Sequence, residues 1–272
     1  MIFEHPWLGP LFSDPKMVEI WSAEKQLEHY RDFEAALANA LEACGRVPEQ
    51  QAQQAVEAIN STEIDIRSLA EGSLRDGLPI PDLVRQLRVQ AGECGVAIHT
   101  GATSQDVLDT ALALTLKDTS IQLLNGLREL DSGLAKLGAE HGENRLMGRT
   151  RMQAALPVTV AHRVQNWRVP LEGHVSALGA LRPRVERLQL GGAVGTRDGF
   201  GDEGERIASH MAGALGLAAG PVWHTDRTAV AEYAGRLSLV TGSLGKFGQD
   251  VTLMAQQGVD EITLRGGGGS SA

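Results

Sequence analysis

The chain has 272 residues, of which 42% are hydrophobic and 22% are charged, and its formal net charge at pH 7 is −9. These proportions are typical of globular proteins that bury a sizeable core. The negative charge argues against a nucleic-acid-binding protein, which requires a basic face, although a local arginine cluster can still bind a small anion.

Cysteine usage and the N-terminal sequence bear on the cellular compartment. Cys44 and Cys94 are the only cysteines, and they form neither a metal-binding spacing nor a disulfide framework, which favours a reducing cytoplasm. The opening stretch MIFEHPWLGPLF lacks the basic start and the long apolar run of a signal peptide. No segment has the length and apolarity of a membrane span. We therefore expect a cytoplasmic protein with neither a membrane nor a nucleic-acid partner.

The first part of the chain contains short helical patches. Two of them, 23–44 and 49–59, are separated by the Gly- and Pro-containing stretch 45–48, and another break falls at 77–81. This pattern predicts a small N-terminal helical domain over residues 1–105.

Three longer helices are predicted in the rest of the chain. Apolar residues recur at alternating steps of three and four over 123–137, 160–188 and 230–254. Pro170 and Pro183 lie within the second of these stripes, where proline is expected to kink or interrupt the helix. Helices of this length are typical of an elongated bundle, so the sequence predicts an all-α fold.

These long helices define the second predicted domain, a central bundle over residues 106–272. Apolar seams that recur on several helices of one chain are often buried against copies of the same chain, which favours a homo-oligomer. A monomeric bundle whose seams close on one another is the alternative.

The first candidate site is the stretch HTGATSQDVLDTA, which begins at His99. From Thr103 to Asp106 it has the form of a capping box at a helix N-terminus, with Asp in place of the more usual Glu. The same segment can instead bind a ligand, because the free N–H groups of a helix start and the hydroxyls of Thr103 and Ser104 can receive a carboxylate. Spacing alone leaves both interpretations open.

The second candidate site is the stretch GRTRMQAALP, residues 148–157. Two guanidinium groups, a hydroxyl and an amide lie within five residues of this stretch, on Arg149, Arg151, Thr150 and Gln153. Arginine is suited to the bidentate capture of a carboxylate or a sulfonate. A solvated surface loop is the alternative.

Two further stretches, LGGAVGT and WHTDR, follow. The first lacks the strand–turn–helix setting of a dinucleotide-binding fingerprint and is interpreted as close backbone packing or a pocket wall. The second places His224 and Arg227 just before the last long helix, where side chains can point into a cleft. No Cys/His cluster, His-Glu-x-x-His pair or phosphate-binding loop occurs, so we expect neither a metal nor another cofactor.

The chain resembles the fumarase/aspartase superfamily in five stretches, which occur in the order HTGATSQDVLDTA, GRTRMQAALP, LGGAVGT, WHTDR and the terminal GGSSA. The stretch PKMVEIWSAEKQLEHYRDFEAALANALEACGRVP is similar to the opening of two of its branches, the bacterial 3-carboxy-cis,cis-muconate cycloisomerases (lactonizing enzymes) and the adenylosuccinate lyases. The resemblance covers essentially the whole chain and is stronger to the cycloisomerase branch.

The resemblance implies an all-α homotetramer in which each active site is assembled from three subunits. One subunit would supply residues 99–109, another residues 148–153, and a third the mobile loop that contains Ser270 and Ser271. On this interpretation the Gly-rich end is the first half of that loop, so the rest of the loop and a C-terminal helical domain are missing from the chain. A flexible linker is the alternative for this end.

The resemblance also implies the chemistry, which is cofactor-free addition or elimination at a carbon next to a carboxylate. Ser270, with Ser271 beside it, would act on the Cα proton. The expected reaction converts 3-carboxy-cis,cis-muconate, or a 3-sulfo analogue, to the muconolactone in the β-ketoadipate pathway of aromatic degradation. The residues expected to bind this di- or tricarboxylate anion are His99, Thr103, Ser104, Arg149, Thr150, Arg151, Gln153, His224 and Arg227.

Departures from the family patterns bear on the substrate. Adenylosuccinate lyases carry a histidine in a Thr-x-His-Asp-Val motif, whereas residues 78–84 read LPIPDLV, and they place a histidine where this chain has Arg151. The cycloisomerase branch usually has tryptophan at that position. Arg151 therefore leaves the substrate open, with adenylosuccinate lyase-type β-elimination and a non-catalytic helical scaffold as alternative functions.

Overall fold

The computed structural model describes residues 5–264, which form two compact units. Unit 1 contains the described residues up to Gln122 together with Leu181–Val230, and unit 2 contains Leu123–Ala180 together with the described residues from Ala231 onward. The units therefore alternate along the chain. The domain boundary near residue 105 stays a prediction.

Helices account for most of the described residues, as the all-α class requires. The α-helices are α1 (Pro15–Ile20), α2 (Ala23–Ala43), α3 (Glu49–Ser61), α4 (Ile66–Asp76), α5 (Ile80–Ala91), α6 (Ser104–His141), α7 (Val160–Val185), α8 (Gly204–Leu215) and α9 (Thr228–Met254). The predicted patches correspond to α2 and α3, and the three predicted long helices correspond to α6, α7 and α9. The all-α prediction is confirmed. Within the described residues no helix combines the length and apolarity needed to cross a membrane.

Local signals explain where several of the short helices begin and end. Ser22 caps α2, since its hydroxyl accepts a hydrogen bond from the Lys25 N–H at 3.1 Å. Asp65 caps α4 through the N–H groups of Arg67 and Ser68. Helix α4 ends at Gly77, whose φ of 80° is a left-handed conformation that glycine adopts without strain. The predicted break at 77–81 therefore coincides with the boundary between α4 and α5.

The core of unit 1 anchors the candidate motifs. Helix α2 contributes Phe33 and Leu37, each with no exposed surface, and packs on α3 and α8. The same cluster includes Ile98, which directly precedes HTGATSQDVLDTA, and Leu190, which is the first residue of LGGAVGT. Burial of these neighbours fixes the backbone from which the candidate side chains project.

A buried carboxylate joins α4 to α5 in unit 1. Asp82 is 4% exposed and accepts hydrogen bonds from Ser68 Oγ at 3.1 Å, Gln86 Nε2 at 2.8 Å and Arg85 Nη2 at 2.7 Å. Burial acts to raise the pKa of Asp82, but the hydrogen bonds from Gln86, Arg85 and Ser68 and the charge of Arg85 outweigh it and lower the pKa.

We expect Asp82→Asn to lower the free energy of unfolding by about 2 kcal/mol at pH 7, because charge-assisted hydrogen bonds are lost. Since the folded pKa lies below the unfolded value of about 3.9, the carboxylate stabilises the fold above that pH and stops doing so as the pH falls through the folded pKa. Urea denaturation at pH 7 and pH 3 measures both effects. Glu71→Gln on α4, which removes an exposed ion pair with Arg67, is the control and should change stability little. A deficit of Asp82→Asn that persists undiminished in acid would contradict the charge-based explanation.

Unit 2 is held together by contacts between its long helices. Trp167 of α7 packs edge-on against Phe247 of α9, with ring centroids 4.9 Å apart. Arg168 of α7 forms a bidentate pair with Asp131 of α6, at 2.7 and 3.0 Å. Helix α7 continues through Pro170 without interruption; a kink at this residue stays a prediction.

Unit 2 also contains a β-hairpin that the sequence analysis did not predict. Strands β1 (Arg145–Thr150) and β2 (Gln153–Thr159) pair antiparallel, and their two connecting residues, Arg151 and Met152, have φ values of 47° and 63°. Such a turn usually carries Asn or Gly, which are missing here, and this explains why the hairpin was not predicted. The hairpin places GRTRMQAALP on two strands and a tight turn.

Candidate active site

The start of α6 confirms the capping-box interpretation in part. Asp106 Oδ2 accepts a hydrogen bond from the Thr103 N–H at 3.0 Å, which is the return half of a capping box. Within the described residues, the hydroxyls of Thr103 and Ser104 take part in no hydrogen bond. Capping and ligand binding are therefore compatible, because the cap uses the Asp106 carboxylate and leaves both hydroxyls for a ligand.

Asp106 also binds the glycine-rich stretch that begins at Leu190. The carboxylate has no exposed surface, and it accepts hydrogen bonds from Gln189 Nε2 at 2.9 Å, the Gly191 N–H at 2.8 Å and the Gly192 N–H at 2.9 Å. Its negative charge lies at the N-terminus of α6, where the helix dipole stabilises an anion. Asp106 thus joins two of the sequence motifs.

The next turn of α6 brings in the third motif. Asp109 Oδ1 accepts a hydrogen bond from Arg227 Nη1 at 2.7 Å. Thr110 Oγ1 donates to the Gln189 carbonyl at 2.8 Å, and Gln189 Oε1 accepts from the Trp223 N–H at 2.7 Å. Three of the sequence motifs therefore meet in unit 1 around the first two turns of α6, namely HTGATSQDVLDTA, LGGAVGT and WHTDR.

The glycines of LGGAVGT allow this close approach. A Cβ atom on Gly195, whose φ is 83°, would lie 2.5 Å from His224 Cε1, and a Cβ on Gly191 would lie 2.8 Å from Val222 Cγ1. The interpretation of this stretch as close backbone packing is confirmed. Nearby, His224 Nδ1 and Asp109 Oδ2 are buried and have no hydrogen-bond partner. A polar ligand in this part of unit 1 could satisfy such atoms.

His99 is held by a carboxylate that sequence reasoning missed. Glu34 of α2 has no exposed surface; its Oε1 lies 2.7 Å from His99 Nδ1, and its Oε2 accepts the His99 N–H at 2.8 Å. Because a carboxylate only accepts hydrogen bonds, Nδ1 carries the hydrogen and Nε2 is the ring nitrogen left for other partners. The sequence feature that could have indicated this contact is an acidic residue on the apolar face of α2, next to the buried Phe33.

The residues of GRTRMQAALP lie in unit 2, at the tip of the hairpin. Thr150 and Gln153 face each other across the strands and are exposed, and Arg149 Nη1 donates to Glu261 Oε1 at 2.6 Å. Arg149 and Arg151 line a cavity of about 360 Å³ in unit 2. Its other lining residues are Met152, Arg163, Asp250, Leu253, Met254, Gln256, Val259 and Glu261.

Asp250 is the second acidic residue of this cavity. Its Oδ2 accepts hydrogen bonds from Trp167 Nε1 at 2.8 Å and from Lys246 Nζ. Burial acts to raise the pKa of Asp250, but the hydrogen bonds from Lys246 and Trp167 and the charges of Lys246 and Arg163 lower it overall. Asp250 is therefore an ionised carboxylate whose interactions are largely with α7 and α9.

The structure thus divides the predicted site residues between the two units. His99, Thr103, Ser104, His224 and Arg227 lie in unit 1, whereas Arg149, Thr150, Arg151 and Gln153 lie in unit 2. Ser270 and Ser271 lie outside the described residues. Between His5 and Leu264, no group of three or more His, Cys, Asp and Glu side chains could hold a metal ion. The roles of these residues in binding and catalysis stay predictions.

Comparison with known proteins identifies the family. A lyase family model matches residues 12–272. The chain belongs to this family, within the fumarase/aspartase superfamily. The family resemblance of the sequence motifs is confirmed.

Several curated proteins are similar to most of the chain. It is 37% identical over 263 residues to a 3-carboxy-cis,cis-muconate cycloisomerase of Pseudomonas aeruginosa, covering 95% of this chain and 57% of that protein. It is 30% identical to an N-acetyl-S-(2-succino)cysteine lyase of Dickeya dadantii, covering 94% of this chain and 56% of that protein. A solved structure, the 3-carboxy-cis,cis-muconate lactonizing enzyme from Pseudomonas putida, is 35% identical with a TM-score of 0.88, covering 92% of this chain and 58% of that one.

The similarity therefore extends over more than half of each relative's length. The names of these relatives are those of lyases and isomerases, and the chain spans less than two thirds of the length of each. Their names differ in the reaction, since cycloisomerases and a cysteine-adduct lyase both match. The comparison therefore establishes the family but not the substrate.

Proposed function

We propose that this protein is a cofactor-free cycloisomerase that converts 3-carboxy-cis,cis-muconate, or a 3-sulfo analogue, to the corresponding muconolactone. The observation that carries the proposal is the 37% identity to a 3-carboxy-cis,cis-muconate cycloisomerase over 95% of the chain. The cationic character of the candidate residues in unit 2 supports an anionic substrate.

The reaction is an isomerisation within one molecule. A carboxylate oxygen of the substrate attacks the conjugated double bond, a C–O bond closes the five-membered lactone, and the carbon next to another carboxylate takes up a proton. Holding the diene folded supplies proximity, and N–H and guanidinium donors stabilise the charge that develops on the carboxylate. We assign the proton transfer to Ser270, a serine whose activation needs nearby donors or a cation.

Substrate binding is assigned to donors of two motifs, which the proposed homotetramer would bring together from different subunits. The Thr103 and Ser104 hydroxyls and the first N–H groups of α6 would hold one carboxylate, because the helix N-terminus favours an anion. Thr150 and Gln153 would hold another carboxylate from the hairpin tip. His99, fixed by Glu34, and the cleft residues His224 and Arg227 would orient the substrate. The proposal includes a cytoplasmic homotetramer whose active sites are shared between subunits.

β-Elimination is the second candidate function. The similarity to an N-acetyl-S-(2-succino)cysteine lyase favours it, because elimination from a succinyl adduct and lactone formation can share a carboxylate-stabilised carbanion next to the reacting carbon. Adenylosuccinate lyase-type elimination has less support, because Arg151 stands where those enzymes carry a histidine.

A substrate panel tests the proposal. The purified protein is assayed spectroscopically with 3-carboxy-cis,cis-muconate, 3-sulfomuconate, adenylosuccinate and N-acetyl-S-(2-succino)cysteine, after its intact mass has been recorded. We expect turnover of at least one muconate and none of adenylosuccinate. Turnover of the cysteine adduct alone would replace cycloisomerisation by β-elimination. Neither turnover nor saturable binding of any of the four compounds would indicate the non-catalytic scaffold.

Arg151 provides a test of which muconate is preferred. A permanently charged guanidinium at this position should favour a sulfonate, so we expect Arg151→Trp to reduce kcat/KM for 3-sulfomuconate relative to 3-carboxymuconate by about tenfold. Arg145→Gln, which removes an exposed arginine of β1 that does not line the cavity, is the matched control for net charge. An unchanged ratio of the two specificity constants in Arg151→Trp would refute this role.

A further inference from the structure

An arginine whose Nε–H has no hydrogen-bond acceptor lines the cavity of unit 2. Arg163, near the start of α7, has a side chain that is 24% exposed, and its Nε atom is buried without a hydrogen-bond partner. Within the described part of the chain its guanidinium group makes no hydrogen bond. Its ionic neighbour is Asp250, with 3.8 Å between Nη1 and Oδ2, which is too long for a hydrogen bond.

Asp250 forms an ion pair with Arg163 but accepts no hydrogen bond from it, and the oxygen nearest to Arg163 already accepts two other donors. Trp167 Nε1 lies 2.8 Å from Asp250 Oδ2, and Lys246 Nζ also donates to it. A buried N–H donor without an acceptor costs about 1–3 kcal/mol, and more when the group is charged. The Nε–H of Arg163 is therefore a buried donor without an acceptor.

The charges around the cavity show what kind of ligand would offset this cost. Glu261 pairs with Arg149 at 2.6 Å, and its Oε2 is buried and accepts no hydrogen bond. Asp250 pairs with Lys246. Among the described residues Arg151 forms neither an ion pair nor a hydrogen bond. Asp250 is shared between Lys246 and Arg163, so the two carboxylates leave an excess of positive charge around the cavity.

The remaining walls favour a small organic anion. Leu253, Met254 and Val259 contribute apolar surface, against which a short carbon skeleton can pack. The cavity volume of about 360 Å³ is in the range of small-molecule sites. Two guanidinium forks match carboxylate geometry, because each can donate two parallel N–H bonds to one carboxylate.

We propose that Arg163 is an anion-binding residue, and that with Arg151 it holds a di- or tricarboxylate in the unit 2 cavity. The identity of that anion as the substrate rests on the proposed function, whereas the existence of the site rests on the cavity, its excess of positive charge and the unsatisfied Nε–H of Arg163. Arg163 then receives from the ligand the acceptor that the protein does not supply.

Binding of an unreactive tricarboxylate tests the site independently of turnover. Propane-1,2,3-tricarboxylate is titrated calorimetrically into the purified protein and into the variants Arg163→Gln, Arg163→Lys and Arg145→Gln. We expect the dissociation constant to rise about tenfold or more in Arg163→Gln and by less in Arg163→Lys, which keeps the charge but loses the fork. The control Arg145→Gln should change it less than about twofold, because an exposed charge outside the cavity is screened.

Thermal melting of each variant separates loss of binding from loss of folding. If Arg163→Gln does not fold, Arg163→Lys decides: weaker binding at unchanged Tm supports the site, and unchanged binding overturns it. Equal affinities of Arg163→Gln and Arg145→Gln, or no saturable binding by the unsubstituted protein, would also overturn it. Arg163-dependent binding without turnover of either muconate would instead refute the proposed function and leave the site intact.

Discussion

Asp106→Asn is expected to lower the free energy of unfolding by about 3 kcal/mol and to abolish enzymatic activity. The carboxylate has no exposed surface and accepts four hydrogen bonds, from Gln189 Nε2 and the N–H groups of Thr103, Gly191 and Gly192. An asparagine has the same shape, but its amide group turns two N–H donors toward a site that contains only donors. At least one buried donor then loses its acceptor.

The loss should extend from stability to the site. Asp106 holds the start of α6 against the glycine-rich stretch, so the Thr103 and Ser104 hydroxyls lose their fixed position when it is replaced. Chemical denaturation and a kcat/KM measurement on the same preparation check both effects. Asp118→Asn is the matched control, because Asp118 lies on the same helix, is 36% exposed and is 3.9 Å from its ionic neighbour His29. If both variants lost the same small amount of stability, Asp106 would not be the link between the motifs.

Gly101→Ala is expected to cost about 3 kcal/mol of unfolding free energy, for two separate reasons. Gly101 has a φ of +80°, a conformation that strains a residue with a side chain. An added Cβ would also lie 2.5 Å from Cε1 of Phe200, whose side chain has no exposed surface and cannot move away freely. The substitution lies in HTGATSQDVLDTA, so it should displace His99 as well.

Gly45→Ala separates the two contributions. Gly45 has a φ of +70°, but nothing lies within 4 Å of an added Cβ, so this variant should show the backbone strain alone, about 1 kcal/mol. The difference between the two variants in urea denaturation measures the overpacking against Phe200. The double variant Gly101→Ala with Phe200→Leu should then be less destabilised than the sum of its parts. Equal losses in Gly101→Ala and Gly45→Ala would contradict the predicted clash.

The helices could be predicted because their signals are local. The alternating steps of three and four in the apolar residues predicted α6, α7 and α9, and the Gly- and Pro-containing stretches predicted the breaks between the short helices. The capping role of Asp106 follows from its position three residues after Thr103. The hairpin was not predicted because its turn residues, Arg151 and Met152, give no turn signal and its strands are short and exposed.

The candidate site could be predicted only as separate motifs. The two arginines of GRTRMQAALP, the hydroxyls after Gly101 and the pair His224 and Arg227 were recognisable because each group lies within a few residues. Their partners were not, since Glu34 is 65 residues from His99 and Gly191 is 85 residues from Asp106. Hydrogen bonds over such separations depend on how the chain folds back on itself.

The sequence by itself therefore determined the helical class and the family. Only the tertiary structure decided which polar groups are satisfied and which are left without a partner. Asp106 and Arg163 illustrate the difference: the first is buried among four donors, and the second is partly buried, with a buried Nε that lacks an acceptor. The physical reason is that satisfaction of a buried charge depends on side chains that come from distant parts of the chain, whereas helix formation depends mainly on neighbours in sequence.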